Sequence, residues 1–189
     1  MARVGLTPER IIAEAAAVAD EVGLERLTLA AVAQRCGVSL PGLYKHIDNL
    51  EAVKRELAIV SVGELATALA DATAGLSGRD ALRAICTAYR DYARARPGRY
   101  AAGIVAPDAD DDTYLAAAGR AYQVLTAALR GYQLAESDLV HAVRMVRTVC
   151  HGMVTLEIAG GFGLPESVDD TFERLQDALH SQFSYQRTE

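Results

Sequence analysis

The chain is poor in the residues that break helices or build disulfide frameworks. Among its 189 residues it has no tryptophan, five prolines, three cysteines, three phenylalanines and only two lysines, Lys45 and Lys54. So little proline, with abundant alanine, leucine and arginine, points to an all-α protein. Cys36, Cys86 and Cys150 are odd in number, far apart and set among apolar neighbours. That excludes a disulfide framework or a CxxC metal site and suits small buried hydrophobes in a reducing compartment. No run approaches the roughly 18 apolar residues of a membrane span, and the N-terminus lacks the blocks of a signal peptide. A cytoplasmic protein that does not engage a membrane is therefore expected. No H-x-x-x-H, G-x-S-x-G, phosphate-binding glycine loop or acid pair argues for catalysis, so no enzyme, metal or cofactor is expected.

An excess of positive charge is also missing: the formal net charge is −6. The distribution matters more than the total. Residues 1–60 hold seven Lys and Arg against eight Asp and Glu, and the remainder carries twelve against seventeen. The near-neutral N-terminal part holds both lysines, so net charge neither requires nor excludes a nucleic-acid partner.

What is present is helical periodicity with clear stops. Thr7-Pro8-Glu9 is a helix start, and Ile11, Ala15, Val18 and Val22 form one stripe that Gly23 ends. Arg3 lies on a preceding arm that either reaches a minor groove or is simply solvated, as chain ends usually are. From Thr28 the sequence T-L-A-A-V-A-Q-R-C-G-V-S-L-P-G-L-Y-K-H reads as two short helices and a tight turn. Leu29, Val32, Ala33 and Cys36 face inward, Thr28 and Ser39 are caps, and Gly37 takes the positive-φ position. The second helix exposes Leu40, Pro41, Gly42, Tyr44, Lys45 and His46 in a helix-turn-helix pattern. Two domains are expected: residues 1–48, a three-helix DNA-binding domain, and residues 49–189, a larger helical domain for effector binding and dimerisation.

After the cap at Asp48-Asn49 comes a long connecting helix, about 50–73, whose apolar stripe changes register along its length. The next helix, about 80–96, buries Leu82, Ile85, Cys86 and Tyr89 and turns Arg83, Arg90 and Arg94 to water. A short helix follows near Tyr100. The acidic run Asp108–Asp112 is read as a solvated loop at a helix N-terminus. The segment about 136–159 is apolar nearly all round, and the last helix, about 168–183, has near-heptad spacing. Two such helices suggest a four-helix homodimer interface, with Val149, Met153, Leu156, Phe172, Leu175 and Leu179 as candidates. Cys86, Tyr89, Tyr92, Tyr114, Tyr122, Met145 and Phe162 offer aromatic and soft apolar surface for a small, largely apolar effector. His151 is expected at an interface, and His141 and His180 in solvent.

The helix-turn-helix resembles that of the tetracycline-repressor (TetR) family. Thr28, Leu29, Val32, Ala33, Gly37, Val38, Ser39, Leu43, Tyr44 and His46 fill the family's slots. The stretch Cys150-His151-Gly152 is similar to a subgroup with Trp-His-Gly there, with Cys150 in place of the Trp. The resemblance implies a transcriptional regulator, in particular a repressor that binds a palindromic double-stranded operator as a homodimer and is released by an effector. It assigns Thr28, Ser39, Tyr44 and His46 to phosphates, Lys45 to charge and a base edge, and Leu40, Pro41 and Gly42 to close apolar fit. A lysine common in the family's turn into the connecting helix is Leu50 here, so Lys54 or Arg55 is left to substitute for it. The reading from another class is a helical enzyme or ligand carrier with a vestigial motif. Specific retardation of promoter DNA separates the two.

Overall fold

The computed structural model describes residues 6–186, and among them the chain is all-helical. Nine helices follow one another: α1 (Pro8–Val22), α2 (Leu29–Cys36), α3 (Leu40–Leu43), α4 (Leu50–Thr73), α5 (Gly78–Ala95), α6 (Pro97–Ala102), α7 (Asp112–Leu129), α8 (Glu136–Ile158) and α9 (Val168–Gln186). The all-α expectation holds. Arg3 lies outside the described residues. No helix among them is long and apolar enough to cross a membrane. Two compact units emerge. The first holds the residues up to Gly63 together with Arg96–Ala118, and the second Glu64–Ala95 with the residues from Gly119 onward.

In the first unit the local signals act as their chemistry requires. The Thr7 hydroxyl accepts from the Arg10 N–H at 3.3 Å, and Asn49 Oδ1 accepts from the Ala52 N–H at 2.8 Å. Each satisfies a donor that the first helical turn leaves open. Gly37 ends α2 at φ +71°. That left-handed turn lets the Val38 N–H reach back to the Ala33 carbonyl at 3.0 Å, and it is strained for a residue with a Cβ. The core is built from small aliphatics, with Ile11, Ala15, Leu27, Val32, Leu43 and Leu57 nearly or wholly buried. Arg35 ties α2 to α1 through Glu14 at 2.9 Å and Glu21 at 2.6 Å.

The returning segment 96–118 completes this unit. α6 packs on α1 so closely that a Cβ on Gly98 would stand 2.1 Å from the Ala19 carbonyl. Only glycine permits that approach. Asp20 accepts from the Arg99 backbone N–H at 2.9 Å and from its Nε at 2.8 Å. Asp111 caps α7 by accepting from the Tyr114 N–H at 3.0 Å. It also takes a two-pronged guanidinium from Arg55, both contacts at 2.6 Å. The acidic run therefore does start a helix, but its Asp111 is an ion-pair partner rather than a solvated charge.

In the second unit α5 packs on both α8 and α9, and α8 packs on α9. Leu82, Ile85 and Cys86 of α5, Val146 and Cys150 of α8, and Phe183 of α9 are wholly buried. Cys86 and Cys150 meet thiol to thiol, and that hydrogen bond together with burial pushes the Cys150 thiol well up. Enclosed, the two pack as small hydrophobes. Tyr132 lies edge-on to Phe183, ring centres 5.4 Å apart, and its hydroxyl shares a 2.9 Å hydrogen bond with His180 Nδ1. Burial pushes the Tyr132 hydroxyl up to about 12. His180 is thus half-buried and bonded rather than in solvent, while His141 is exposed and His151 half-buried.

Arg90 also departs from expectation. Its guanidinium, 11% exposed, reaches both Glu157 oxygens at 2.7 and 2.8 Å and Asp169 at 2.7 Å. It lies 5.1 Å from the centre of the Phe172 ring. A reading by periodicity puts Arg90 on the wet face of α5. The packing of α8 and α9 against α5 converts that face into an inter-helix knot.

Candidate nucleic-acid interface and ligand cavity

The helix-turn-helix spans α2, the Gly37 turn and the single-turn α3. The Thr28 hydroxyl accepts from the Ala31 N–H at 3.2 Å, and the Ser39 hydroxyl from the Gly42 N–H at 3.3 Å. Each hydroxyl still has its own O–H to donate, and each side chain is exposed. Leu43 is completely buried and anchors α3 to the core. The chain then turns through Tyr44–His46, where the His46 N–H returns to the Leu43 carbonyl at 2.9 Å. The Tyr44 ring is 52% exposed, so it does not pack beneath the helix. Leu40, Pro41, Lys45 and His46 are exposed beside it, and Gly42 is half-buried. All eight residues assigned from Thr28 to His46 thus sit on one continuous stretch, seven of them exposed.

The cations around this stretch are not equivalent. Lys45 makes no ion pair among the described residues. Lys54 is half-buried and bound to Glu51 at 2.9 Å. Arg55 is committed to Asp111 and to the neighbouring Glu56. Pairing with Arg55 also holds the Asp111 carboxyl below its ordinary range. Of the two residues left to stand in for the missing lysine at Leu50, only Lys54 carries a pair that opens cheaply.

The seven ligand candidates are spread over several elements. Cys86, Tyr89 and Tyr92 form a buried strip on α5, and the Tyr92 hydroxyl donates to Glu64 at 3.1 Å. Tyr122 and Met145 are exposed on α7 and α8, and Phe162 is half-buried after α8. Tyr114 belongs to the first unit, where its ring joins the core and its hydroxyl donates to the Val105 carbonyl at 2.6 Å. A cavity of about 510 Å³ opens elsewhere, between α5 and α9, with Arg83, Thr87, Arg90, Phe172 and Gln176 in its wall. None of the seven lines it. Sequence reasoning missed it by searching for aromatics, although arginines at 83, 90 and 94 already marked one face of α5.

Of the dimer candidates, Met153, Phe172 and Leu179 are buried within the chain's own core. Val149 and Leu175 are half-buried, and Leu156 is 50% exposed.

Two family models match the chain. Residues 11–53 match the bacterial regulatory proteins of the tetR family, and residues 82–179 the tetracyclin repressor-like C-terminal domain. The HTH-type transcriptional regulator YobS of Bacillus subtilis is 30% identical over 179 residues, covering 95% of this chain and 88% of that protein. The HTH-type transcriptional regulator Rv0681 of Mycobacterium tuberculosis is 35% identical over 156 residues, covering 82% and 72%. A TetR variant from Acinetobacter baumannii, solved in complex with minocycline, shares the fold with a TM-score of 0.72 at 21% identity. That match covers 97% of this chain and 99% of the other.

Proposed function

The chain belongs to the tetR family of bacterial regulatory proteins and is a DNA-binding transcriptional regulator; from that premise we propose a cytoplasmic, homodimeric, ligand-responsive repressor that is not an enzyme. The observation that carries the DNA-contacting part is the single exposed stretch from Thr28 to His46, anchored from beneath by Leu43. Thr28, Ser39, Tyr44 and His46 donate to phosphates and fix the position of the head. Lys45 adds charge, and Leu40, Pro41 and Gly42 allow close approach to base edges. Residues 1–48 serve as the reading head and 49–189 as the effector and dimerisation part. Two heads then address half-sites in successive major grooves.

The dimer contact is best drawn from the exposed face of α8. Met145, Thr148, Gly152 and Leu156 recur at helical spacing there and are all exposed. Exposed Met145 and Leu156 flanking the small Thr148 and Gly152 suit close helix contact, and two-fold symmetry supplies the same face as its partner. Leu156→Glu is expected to shift the protein from dimer to monomer in sedimentation velocity. An unchanged dimer would move the interface elsewhere.

By analogy with the Acinetobacter protein, a small molecule is the signal. It acts only through differential affinity for two conformations, one of which spaces the heads for the operator. The functional test is a mobility shift on the DNA flanking the protein's own gene. Specific retardation is expected. Tyr44→Phe should weaken binding to specific and random DNA alike, as loss of a phosphate contact does. Absence of any specific shift at low salt refutes the repressor reading.

A further inference from the structure

The cavity between α5 and α9 is walled by the polar faces of two helices, yet its polar groups do not satisfy one another. Four residues of α5, Arg83, Thr87, Arg90 and Arg94, lie along one face at spacings of four, three and four. They look across at Phe172, Glu173 and Gln176 of α9. At one end the pairing is complete, because Arg90 is held by Glu157 and Asp169 and covers Phe172. At the other end it is not. The Arg83 Nε is buried and has no hydrogen-bond acceptor. Its remaining contact, to Asp177 at 3.3 Å, is shared with Arg79, which holds the same oxygen at 2.7 Å. Beside it, Gln176 is only 6% exposed, and its amide has no partner among the described residues. Thr87 adds a third uncommitted polar group one turn along α5.

Buried polar groups are nearly always bonded, so the unpartnered Arg83 Nε marks a missing acceptor on this wall, and the Gln176 amide beside it has no partner among the described residues. The donors are a guanidinium N–H, an amide NH₂ and a hydroxyl. A carboxylate, which only accepts and has about four lone-pair positions, matches that set. A cavity of about 510 Å³ falls within the range of small-molecule sites, roughly 300–1,000 Å³. The same wall carries Asp91 and Glu173, both exposed and outside any ion pair among the described residues. They disfavour a second anionic group and can accept from a ligand hydroxyl.

We propose that this groove is a binding site for a small hydroxylated organic carboxylic acid, its carboxylate taken by Arg83 and Gln176 and its body lying past Thr87 toward Phe172. The proposal deepens the ligand-responsive reading, on which its consequence for DNA rests, and it replaces a largely apolar effector by an acidic one. Binding itself is independent of that reading.

The test is isothermal titration calorimetry on the full chain with 4-hydroxybenzoate, its uncharged amide 4-hydroxybenzamide, and benzoate. Saturable binding of the hydroxy acid is expected, with benzoate weaker and the amide silent. Arg83→Met should lower the affinity at least tenfold. Gln176→Glu, which keeps shape but faces the carboxylate with like charge, should abolish binding while helicity stays as in the parent. Arg174→Gln, on an exposed position of α9, should bind as the parent does. Three results each overturn the site: no binding of either acid at millimolar concentration, equal binding of acid and amide, or unchanged affinity in both Arg83→Met and Gln176→Glu. A mobility shift with the same acid reads the consequence separately. Acid that binds without releasing operator leaves the site standing and removes it from regulation. An apo protein that never retards operator refutes the repressor reading and not the site.

Discussion

In the first unit, distant segments are joined where backbone meets backbone, at Gly98 against Ala19. In the second they are joined through long charged side chains, with Arg90 drawing in Glu157 and Asp169. The first kind of contact has no slack, since protein interiors are close-packed and a single methyl group is felt. The second tolerates adjustment, because guanidinium and carboxylate can re-pair or hydrate. The difference suits two tasks. On the proposed function, a reading head must hold Ser39, Tyr44 and Lys45 in fixed register, whereas a ligand-binding part must retain donors that its own chain does not consume. In the proposed site Arg83 and Gln176 would be those donors, on a face where Arg90 is held by Glu157 and Asp169.

The largest effect that would break this comparison is expected at Gly98. Gly98→Val places a branched side chain where even a Cβ meets the Ala19 carbonyl at 2.1 Å. Overpacking against backbone that cannot yield should cost about 3 kcal/mol or more. For a chain of this size that lowers the melting temperature by roughly 6–12 °C. Thermal unfolding followed by circular dichroism reads it directly. A variant that melts with the parent would show that the first unit has as much slack as the second.

Arg90→Met should be milder, about 1–2 kcal/mol, because Glu157 keeps Arg94 at 3.6 Å and some solvent. Its distinctive mark is in acid. Pairing with Arg90, above all by hydrogen bonds, holds the Glu157 carboxyl below its ordinary value of 4.5. A carboxyl whose folded value is depressed stabilises the fold above its unfolded value, and that contribution is lost as pH falls through the folded value. The parent should therefore lose stability steeply from about pH 4.5 downward. Arg90→Met should lose less over the same window, since its Glu157 has less to give up. Parallel acid limbs in urea unfolding at several pH values would show that the knot contributes nothing to linkage.

These two sites also show what the sequence discloses and what it withholds. The α1–α4 region was legible because its signals are local: Thr7, Thr28, Ser39 and Asn49 cap, Gly37 turns, and the apolar stripes run at helical spacing. The helix-turn-helix stretch followed from the same signals, with Tyr44 exposed as expected, whereas the buried anchor Leu43 was not singled out. What stayed hidden depends on partners far along the chain. Nothing near Gly98 announces Ala19, and nothing near Arg55 announces Asp111. Arg90 looks solvated until α8 and α9 are laid against α5. The cavity was missed for the same reason, since an arginine face reads as surface whenever its opposite wall is unknown. The buried Met153, Phe172 and Leu179 show the converse: heptad-like spacing identifies an apolar face without saying whether the chain itself or a second copy covers it.

The smallest expected effect concerns charge in the first unit and sharpens the contrast between committed and uncommitted cations. Lys45 has no ion pair to lose, so Lys45→Ala should leave the melting temperature unchanged. It should lower DNA affinity nearly uniformly across sequences and reduce the salt slope of binding by about 1, the signature of one phosphate contact. Lys54 must first leave Glu51, and the freed carboxylate then faces the same DNA, so Lys54→Ala should change the slope by about half as much. Arg55 is held by two 2.6 Å contacts to Asp111. Arg55→Ala should therefore leave the slope alone and show itself instead as faster amide exchange where Asp111 caps α7 at Tyr114. Equal slopes for the three variants would mean that ion pairing within the chain does not ration its cations. The absent lysine at Leu50 would then be replaced by Arg55 as readily as by Lys54.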